Sequence, residues 1–236
     1  MNLQGKTALI TGGSRGIGYA IARRFKEEGA NIGITARTTE ELDKAASRLN
    51  EIDSGSVFAI PGDVSNDNHV NELVSDILKH YDSIDILVNN AGISGHGKLH
   101  EMPEDKFRYI MEVNLFGVYL LCNRVLPHML DRNSGFIFNI ASYAGTKGLP
   151  GSGAYGAAKS GVITMSESLQ REVKENNIKV MAICPGYVYT DMAKSSGVEK
   201  DKMIQPEDIA ETMLYAMRLS KSTLVQKVIL ERFGSI

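Results

Sequence analysis

Short apolar runs alternate with longer amphipathic stretches along the whole chain of 236 residues. Seven of the runs are predicted strands: KTALITG, NIGITAR, SVFAIPGD, DILVNNAG, GFIFNIAS, IKVMAICPG and LVQKVILE. Most are apolar at nearly every position, which is typical of strands covered on both faces. The stretches between them have a helical period. The pattern therefore predicts an α/β fold with a doubly wound, mainly parallel sheet of about seven strands and helices on both faces.

No repeat, low-complexity segment or linker interrupts this alternation, and the length suits one domain, residues 1–236. Ligands on such sheets bind beyond the carboxyl ends of the strands. We therefore expect the functional residues directly after the strand patterns.

Two helical stretches, Glu104 to Leu130 and Tyr155 to Asn176, have apolar residues on more than one face, as in YIMEVNLFGVYLL. One apolar face is enough to pack a helix against its own sheet. The second face predicts a subunit contact and hence a homo-oligomer, either a dimer or a tetramer.

The charge composition narrows the partners. The 26 basic and 28 acidic residues give a net charge of -2, with no basic footprint for nucleic acid and no polybasic segment for a membrane surface. The chain starts without a signal-peptide pattern, and no apolar run has the length of a membrane span. We expect a cytoplasmic protein that binds neither nucleic acid nor membrane, with Cys122 and Cys184 buried and reduced.

The first strand is followed by TGGSRGIG, residues 11–18, and then by a helical pattern. Gly12, Gly16 and Gly18 permit a tight turn, close approach to a pyrophosphate and close packing of the helix, whose free amides bind phosphate charge. The alternative is a glycine-rich connection without a ligand. The context of strand, turn and helix favours a dinucleotide site.

The end of the second strand, ITARTTEE, distinguishes between two dinucleotides. An acidic residue at this position holds the ribose hydroxyls of NAD, whereas an arginine meets the extra phosphate of NADP. Arg37 stands here, and Arg15 lies within the glycine turn. Each alone reads equally well as a solvated surface charge, but together they favour NADP(H). Glu40 and Glu41 are expected to begin the next helix, where carboxylates suit the helix dipole.

Two further strand ends carry polar or small residues. Asp63, in PGDVS, either accepts a hydrogen bond from the adenine amino group, which we favour, or caps the following helix. Asn90, Ala91 and Gly92 end the fourth strand, where small and amide side chains let a nucleotide lie against the backbone. An asparagine turn is the alternative there.

Tyr155 and Lys159 lie four positions apart in AYGAAKSG, and therefore on one face of a helix. The pair can be a tyrosine ring packed along a lysine stem. It can also be chemical, because an ammonium about 4 Å away favours the phenolate by roughly 4 kcal/mol as an upper bound. The tyrosine pKa would then fall from about 10 to near 7, where a general acid works.

Two polar residues accompany this pair. Ser142 ends the fifth strand pattern in NIAS, and Asn114 interrupts the apolar MEVNLFGVY. Singly they read as a loop serine and a buried asparagine. In order and approximate spacing, however, TGGSRGIG, NNAG, Asn114, Ser142, YGAAK and the PG of CPGYVYT resemble the short-chain dehydrogenase/reductase family over essentially the whole chain.

This resemblance implies a Rossmann-like fold and an NADP(H)-dependent oxidoreductase that acts on a carbonyl or an alcohol. Tyr155 would protonate the carbonyl oxygen, Ser142 would hydrogen-bond that oxygen, and Lys159 would lower the tyrosine pKa and bind the nicotinamide ribose. Asn114 would hold a water that links Lys159 to solvent. The expected cofactor contacts are Gly12, Ser14, Arg15, Gly16, Ile17, Gly18, Arg37, Asp63, Val64, Asn90, Ala91, Gly92, Tyr155, Lys159, Pro185, Gly186, Val188 and Thr190.

The substrate is less constrained. Residues 190–206, called the covering segment below, are expected to close over the active site. The general likeness is to 3-oxoacyl-(acyl carrier protein) reductases, which reduce a β-keto thioester. A short covering segment and the ending VILERFGSI depart from those reductases, and a shortened segment also resembles dehydrogenases of small 3-hydroxy acids.

Other classes of function fit less well. His96 and His100 stand in a glycine-rich stretch without the further ligands of a zinc site. Ser142 is not in the GxSxG turn of serine hydrolases. A non-catalytic NADP-binding sensor or assembly subunit would not need the four catalytic residues together.

Overall fold

The computed structural model describes residues 2–234, apart from the side chain of Ser195. Met1, Ser235 and Ile236, at the ends of the predicted domain, lie outside the described residues. The strands are β1 (Thr7–Thr11), β2 (Asn31–Ala36), β3 (Val57–Pro61), β4 (Ile86–Asn89), β5 (Gly135–Ile140), β6 (Ile178–Pro185) and β7 (Lys227–Leu230). They form one sheet in the order β3-β2-β1-β4-β5-β6-β7, in which every neighbouring pair is parallel. The predicted doubly wound parallel sheet is confirmed.

Helices cover both faces of this sheet. They are α1 (Gly16–Glu27), α2 (Thr39–Asn50), α3 (Asp67–Tyr81), α4 (Glu104–Met111), α5 (Gly117–Asp131), α6 (Gly153–Glu172) and α7 (Pro206–Arg218). α1, α2 and α7 pack on one face with Ile10, and α3, α5 and α6 pack on the other with Leu9. Because the side chains of adjacent residues of β1 pack into the cores on opposite faces of the sheet, both positions are apolar. No helix within residues 2–234 is long and apolar enough to cross a membrane.

The long helix predicted for Glu104 to Leu130 is divided by a change of pitch. Between α4 and α5 the chain forms a π-helical segment, Glu112–Phe116. Asn114 lies in this segment, and its Nδ2 donates to the Ile110 carbonyl at 2.9 Å, which replaces part of the disturbed backbone hydrogen bonding. The helix predicted for Tyr155 to Asn176 is observed as α6, which begins at Gly153.

A buried carboxylate joins the amino ends of the central strands. Asp85, whose side chain is 3% exposed, accepts from Thr7 N at 3.0 Å, from Lys6 at 3.2 Å and from Arg132 at 2.6 Å. Burial raises its pKa, but hydrogen bonds from Thr7 and Arg132 and the two cations outweigh burial, so the pKa lies below its usual value. Asp85 therefore stabilises the end of the sheet opposite the predicted site.

Asp85→Ala should lower the free energy of unfolding by about 2–4 kcal/mol, because a buried amide and two cations lose their acceptor. Urea unfolding at pH 7 measures this loss. Since the pKa is lowered on folding, the stabilisation is present above the unfolded value of about 3.9 and is lost as the pH falls through the folded value. The exposed Asp76, paired with Lys79, is the control; equal losses for Asp76→Ala and Asp85→Ala would contradict the assignment.

Candidate active site

The predicted residues meet where the direction of strand succession changes. The chain runs outward from β1 to β3 on one side of the sheet and from β4 to β7 on the other, which opens a crevice beyond the ends of β1 and β4. Asn90 Nδ2 donates to the carbonyls of Thr11 and Gly12, at 2.9 and 3.2 Å. Thr11 Oγ1 accepts from the amides of Asn90 and Ala91, each at 3.0 Å. These bonds fix the glycine turn against the end of β4.

The glycine turn has the backbone that an anion site requires. Gly12 and Gly16 have positive φ angles of 65° and 56°, which disfavour other residues. A Cβ on Gly18 would lie 2.2 Å from the Gly12 carbonyl oxygen, so only glycine allows this approach. The first turn of α1 contains no acidic residue, and Arg15 gives it no side-chain cap. The positive end of α1 is therefore left for an anion such as a pyrophosphate.

The two predicted phosphate-binding arginines have different partners. Arg15 pairs with Glu41 at 3.2 Å and with Asp191 at 3.8 Å. Arg37 instead donates from Nη1 to the hydroxyl of Tyr109 on α4. Glu41 lies in the first turn of α2, as predicted. Its ion pair with Arg15 was not predicted.

The end of β3 corrects one alternative. Asp63 Oδ1 accepts from the amide and hydroxyl of Ser65, at 2.9 and 2.7 Å. Asn66 is the residue that caps α3, by accepting two amides of its first turn. The helix-capping alternative for Asp63 is therefore wrong, and the adenine contact stays a prediction. The neighbouring Val64 is buried, at 7% exposure.

The catalytic candidates come together from β5 and α6. Ser142 follows β5 by two residues, and its Oγ accepts from Ala144 N at 3.2 Å. Tyr155 lies in the first turn of α6, and Lys159 Nζ is 5.8 Å from the centre of its ring. The Lys159 ammonium donates to the Ile140 carbonyl at 2.8 Å, which ties α6 to the end of β5.

The pKa of Tyr155 differs from the expectation. Burial raises it, and the hydrogen bond with Ser142 opposes the rise only in part. Burial also lowers the pKa of Lys159, to about 8, because this residue is only 3% exposed. The predicted fall of the tyrosine pKa is thus not met in this structure, where loss of hydration outweighs the hydrogen bond with Ser142.

The Asn114 side chain is hydrogen-bonded to the loop that follows β4. Its Oδ1 accepts from Ile93 N at 3.1 Å, and its Nδ2 donates to Ile93 O at 3.1 Å. A Cβ on Gly92 would lie 2.7 Å from Asn114 Oδ1 and 3.5 Å from Lys159 Nζ. The absence of a side chain at Gly92 therefore keeps open the space between Asn114 and Lys159. Their predicted link through a water stays a prediction.

The remaining predicted contacts follow β6, which ends at Pro185. Gly186 N donates to the last carbonyl of β7 at 2.8 Å, and Val188 bridges to Ile204. The Thr190 side chain lies beside the glycine turn, 3.1 Å from where a Cβ of Gly16 would stand. The start of the covering segment therefore borders the crevice.

Sequence reasoning missed Tyr109, Asp191 and Thr11 as partners of the site. Tyr109 is 72 residues from Arg37, and nothing in the local pattern of α4 marks it. Thr11 was read only as part of the glycine motif, although its hydroxyl holds the β4 end. Within residues 2–234, no three His, Cys, Asp or Glu side chains are grouped so that they could hold a metal ion.

Comparison with known proteins identifies the family. The sequence model of the short chain dehydrogenase family matches residues 6–201. The chain belongs to the short-chain dehydrogenase family. The predicted family and its oxidoreductase class are confirmed, whereas the roles of the individual site residues stay predictions.

Curated relatives in this short-chain dehydrogenase family include a 3-oxoacyl-(acyl-carrier-protein) reductase FabG of Chlamydia trachomatis, which is 38% identical over 96% of both chains. An uncharacterized oxidoreductase of Staphylococcus aureus is 34% identical over 96% of both. Among solved structures, the alcohol dehydrogenase of Thermococcus sibiricus complexed with 5-hydroxy-NADP is 29% identical, with a TM-score of 0.89 over 98% of both chains. Actinorhodin polyketide ketoreductase with NADPH is 30% identical, also with a TM-score of 0.89 over 98% of both.

Lys159→Met should raise the melting temperature at pH 7, although it removes a catalytic candidate. Folding lowers the pKa of Lys159 from 10.5 to about 8, so the buried ammonium destabilises the fold below pH 8. This cost is relieved as the pH rises from 8 toward 10.5. Calorimetry should therefore show a gain that shrinks between neutral pH and about pH 10. The exposed Lys44→Met is the control; a gain at Lys159 that does not change with pH would refute this account.

Proposed function

We propose that this chain is an NADP(H)-dependent oxidoreductase that interconverts a carbonyl and a secondary alcohol, with a 3-oxoacyl thioester as its substrate. The observation that carries the proposal is the convergence of Ser142, Tyr155 and Lys159 at the sheet edge that also holds the glycine turn. The FabG relative supports the thioester, and the solved relatives bound to NADP compounds support the cofactor.

The residues present fit NADP(H), which supplies or accepts a hydride when bound. The glycine turn and the positive end of α1 would hold the pyrophosphate, and Arg15 and Arg37 would hold the extra phosphate. Tyr155 and Lys159 would contact the nicotinamide ribose. Val188 and Thr190 would border the nicotinamide at the far end of the crevice.

Tyr155 is the proton donor in carbonyl reduction. Its raised pKa keeps the hydroxyl protonated at neutral pH, so the proton is available when the carbonyl oxygen becomes negative. Ser142 Oγ accepts from Ala144 N and its hydroxyl hydrogen-bonds Tyr155. When substrate is bound, this hydroxyl would donate to the carbonyl oxygen that Tyr155 protonates. The Lys159 ammonium stabilises the phenolate that Tyr155 forms. In oxidation, Tyr155 takes the proton back.

Lys159 is placed to pass a proton onward because burial brings its pKa to about 8. The Oδ1 atom of Asn114 has a second lone pair beyond its bond from Ile93 N, and this lone pair would hold the relay water. Residues 1–236 would act as one oxidoreductase domain, in which the covering segment, residues 190–206, closes over the active site. The cytoplasmic location stays a prediction.

Tyr155→Phe should lower the reduction rate of an acetoacetyl thioester by at least about a hundredfold, because the proton donor is lost. NADPH affinity should change by less than about twofold, since the ring and Lys159 remain. NADPH oxidation is followed by absorbance, with NADH alongside and the exposed Tyr215→Phe as control.

The outcomes separate the candidate functions. Turnover that requires Tyr155 and prefers NADPH supports thioester reduction. Tight NADPH binding without thioester turnover, but with turnover of small 3-hydroxy or 3-keto acids, would move the substrate to that class. A non-catalytic sensor is indicated if NADPH binds and neither substrate class reacts.

We also propose that a second copy of the chain covers the groove between the π-helical segment, α5 and α6. Phe116 and Tyr119 are 48% and 45% exposed there, and their rings stack with centres 5.5 Å apart. Leu115 and Met165 line the same groove. Exposed apolar residues so concentrated on two helices are typical of a subunit interface. Dimer and tetramer are both compatible with this contact.

Phe116→Asp should shift the protein toward monomers, because a carboxylate buried in an apolar interface has no counter-charge. Sedimentation velocity over a range of concentrations measures the shift. Leu149→Asp places the same charge at a comparably exposed residue outside the groove and should leave the assembly intact. Wild-type protein that sediments as a monomer, or an unchanged assembly of Phe116→Asp, would count against the interface.

A further inference from the structure

The hydrogen bond between Arg37 and Tyr109 reaches across the crevice. Arg37 directly follows β2, and Tyr109 lies on α4, which follows β4 in the chain. β1 stands between β2 and β4 in the sheet. The contact therefore spans the end of β1, where the glycine turn begins. The adenosine half of the cofactor would lie there.

The partner of Arg37 leaves its charge uncompensated. Arg15 is paired with two carboxylates, Glu41 and Asp191. The structure pairs no carboxylate of residues 2–234 with Arg37, whose hydrogen bond goes to a neutral phenol. A neutral acceptor orients a guanidinium without cancelling its charge. Arg37 is thus the better prepared of the two arginines to meet a phosphate dianion.

The Tyr109 hydroxyl retains a hydrogen-bond donor. Its oxygen accepts from Arg37 Nη1, so its own proton is not used in that bond. The side chain is also accessible, because the residue is 38% exposed. A phosphate oxygen beside Arg37 could therefore receive hydrogen bonds from both residues.

We propose that Tyr109 is a specificity-determining residue for NADP(H): it positions Arg37, and its hydroxyl donates a hydrogen bond to the ribose 2′-phosphate. The inference rests on the proposed cofactor and deepens it. It extends the phosphate site from the loop after β2 to a helix on the far side of β1.

A merely structural role for this tyrosine predicts a different result. An exposed contact between a phenol and an arginine contributes little to folding. If Tyr109 only helps α4 to pack, loss of its hydroxyl should affect the binding of 2′-phosphorylated and unphosphorylated nucleotides equally. The ratio of the two affinities is therefore the informative quantity.

The test measures binding of 2′,5′-ADP and of 5′-ADP by calorimetry, which requires no turnover. In Tyr109→Phe, the Kd of 2′,5′-ADP should rise about five- to tenfold and that of 5′-ADP less than about twofold. Arg37→Met should raise the Kd of 2′,5′-ADP by about thirtyfold or more. In the double variant the two effects should combine to less than their product, because Tyr109 acts partly through Arg37. Tyr215→Phe is the matched control, and NADPH and NADH should repeat the pattern.

Each result decides between the proposals. A wild-type protein that does not prefer 2′,5′-ADP would overturn both the cofactor and the role of Tyr109. A wild-type preference that survives in Tyr109→Phe would overturn only the role of Tyr109. Equal weakening of both nucleotides would also overturn it. A selective loss in Tyr109→Phe, absent in Tyr215→Phe, supports it.

Discussion

The hydrogen bonds among Thr11, Gly12 and Asn90 hold together the part of the molecule on which the rest of the site depends. They join β1 to β4, the one pair of neighbouring strands in this sheet that do not follow each other in the chain. No crossover helix therefore connects these two strands directly. A parallel sheet covered on both faces keeps its unpaired polar groups at the strand ends, so recognition has to occur there. Asn90 completes the glycine turn from outside, because its side-chain amide donates hydrogen bonds to the Thr11 and Gly12 carbonyls.

The sequence was a good guide to the fold because its signals are local. Each strand is a short apolar run, and the glycine turn stands between a strand and a helix. The π-helical segment was not predictable in this way. It depends on Asn114 bonding to Ile93, 21 residues earlier, and to the Ile110 carbonyl. A period of apolar residues does not report such side-chain bonds.

The site was predictable in its residues but not in its electrostatics. Spacing places Lys159 one turn beyond Tyr155, and the structure keeps them together. Spacing does not tell how much water each group loses, and burial reverses the expected shift in the tyrosine pKa. The contact of Arg37 with Tyr109 was beyond reach for a related reason, because it depends on how α4 is placed relative to the end of β2.

The anchoring of the covering segment has a consequence for how this enzyme can diversify. Tyr189 N donates to the Ile204 carbonyl at 2.8 Å, and Ile204 N donates to the Tyr187 carbonyl at 3.0 Å. The two ends of the intervening loop are thereby held side by side on the sheet. Loop-closure entropy rises only slowly with length, so this loop can be exchanged for a longer or shorter one at little cost to folding. The fold thus separates the sheet edge that carries the candidate catalytic residues from a replaceable connecting loop.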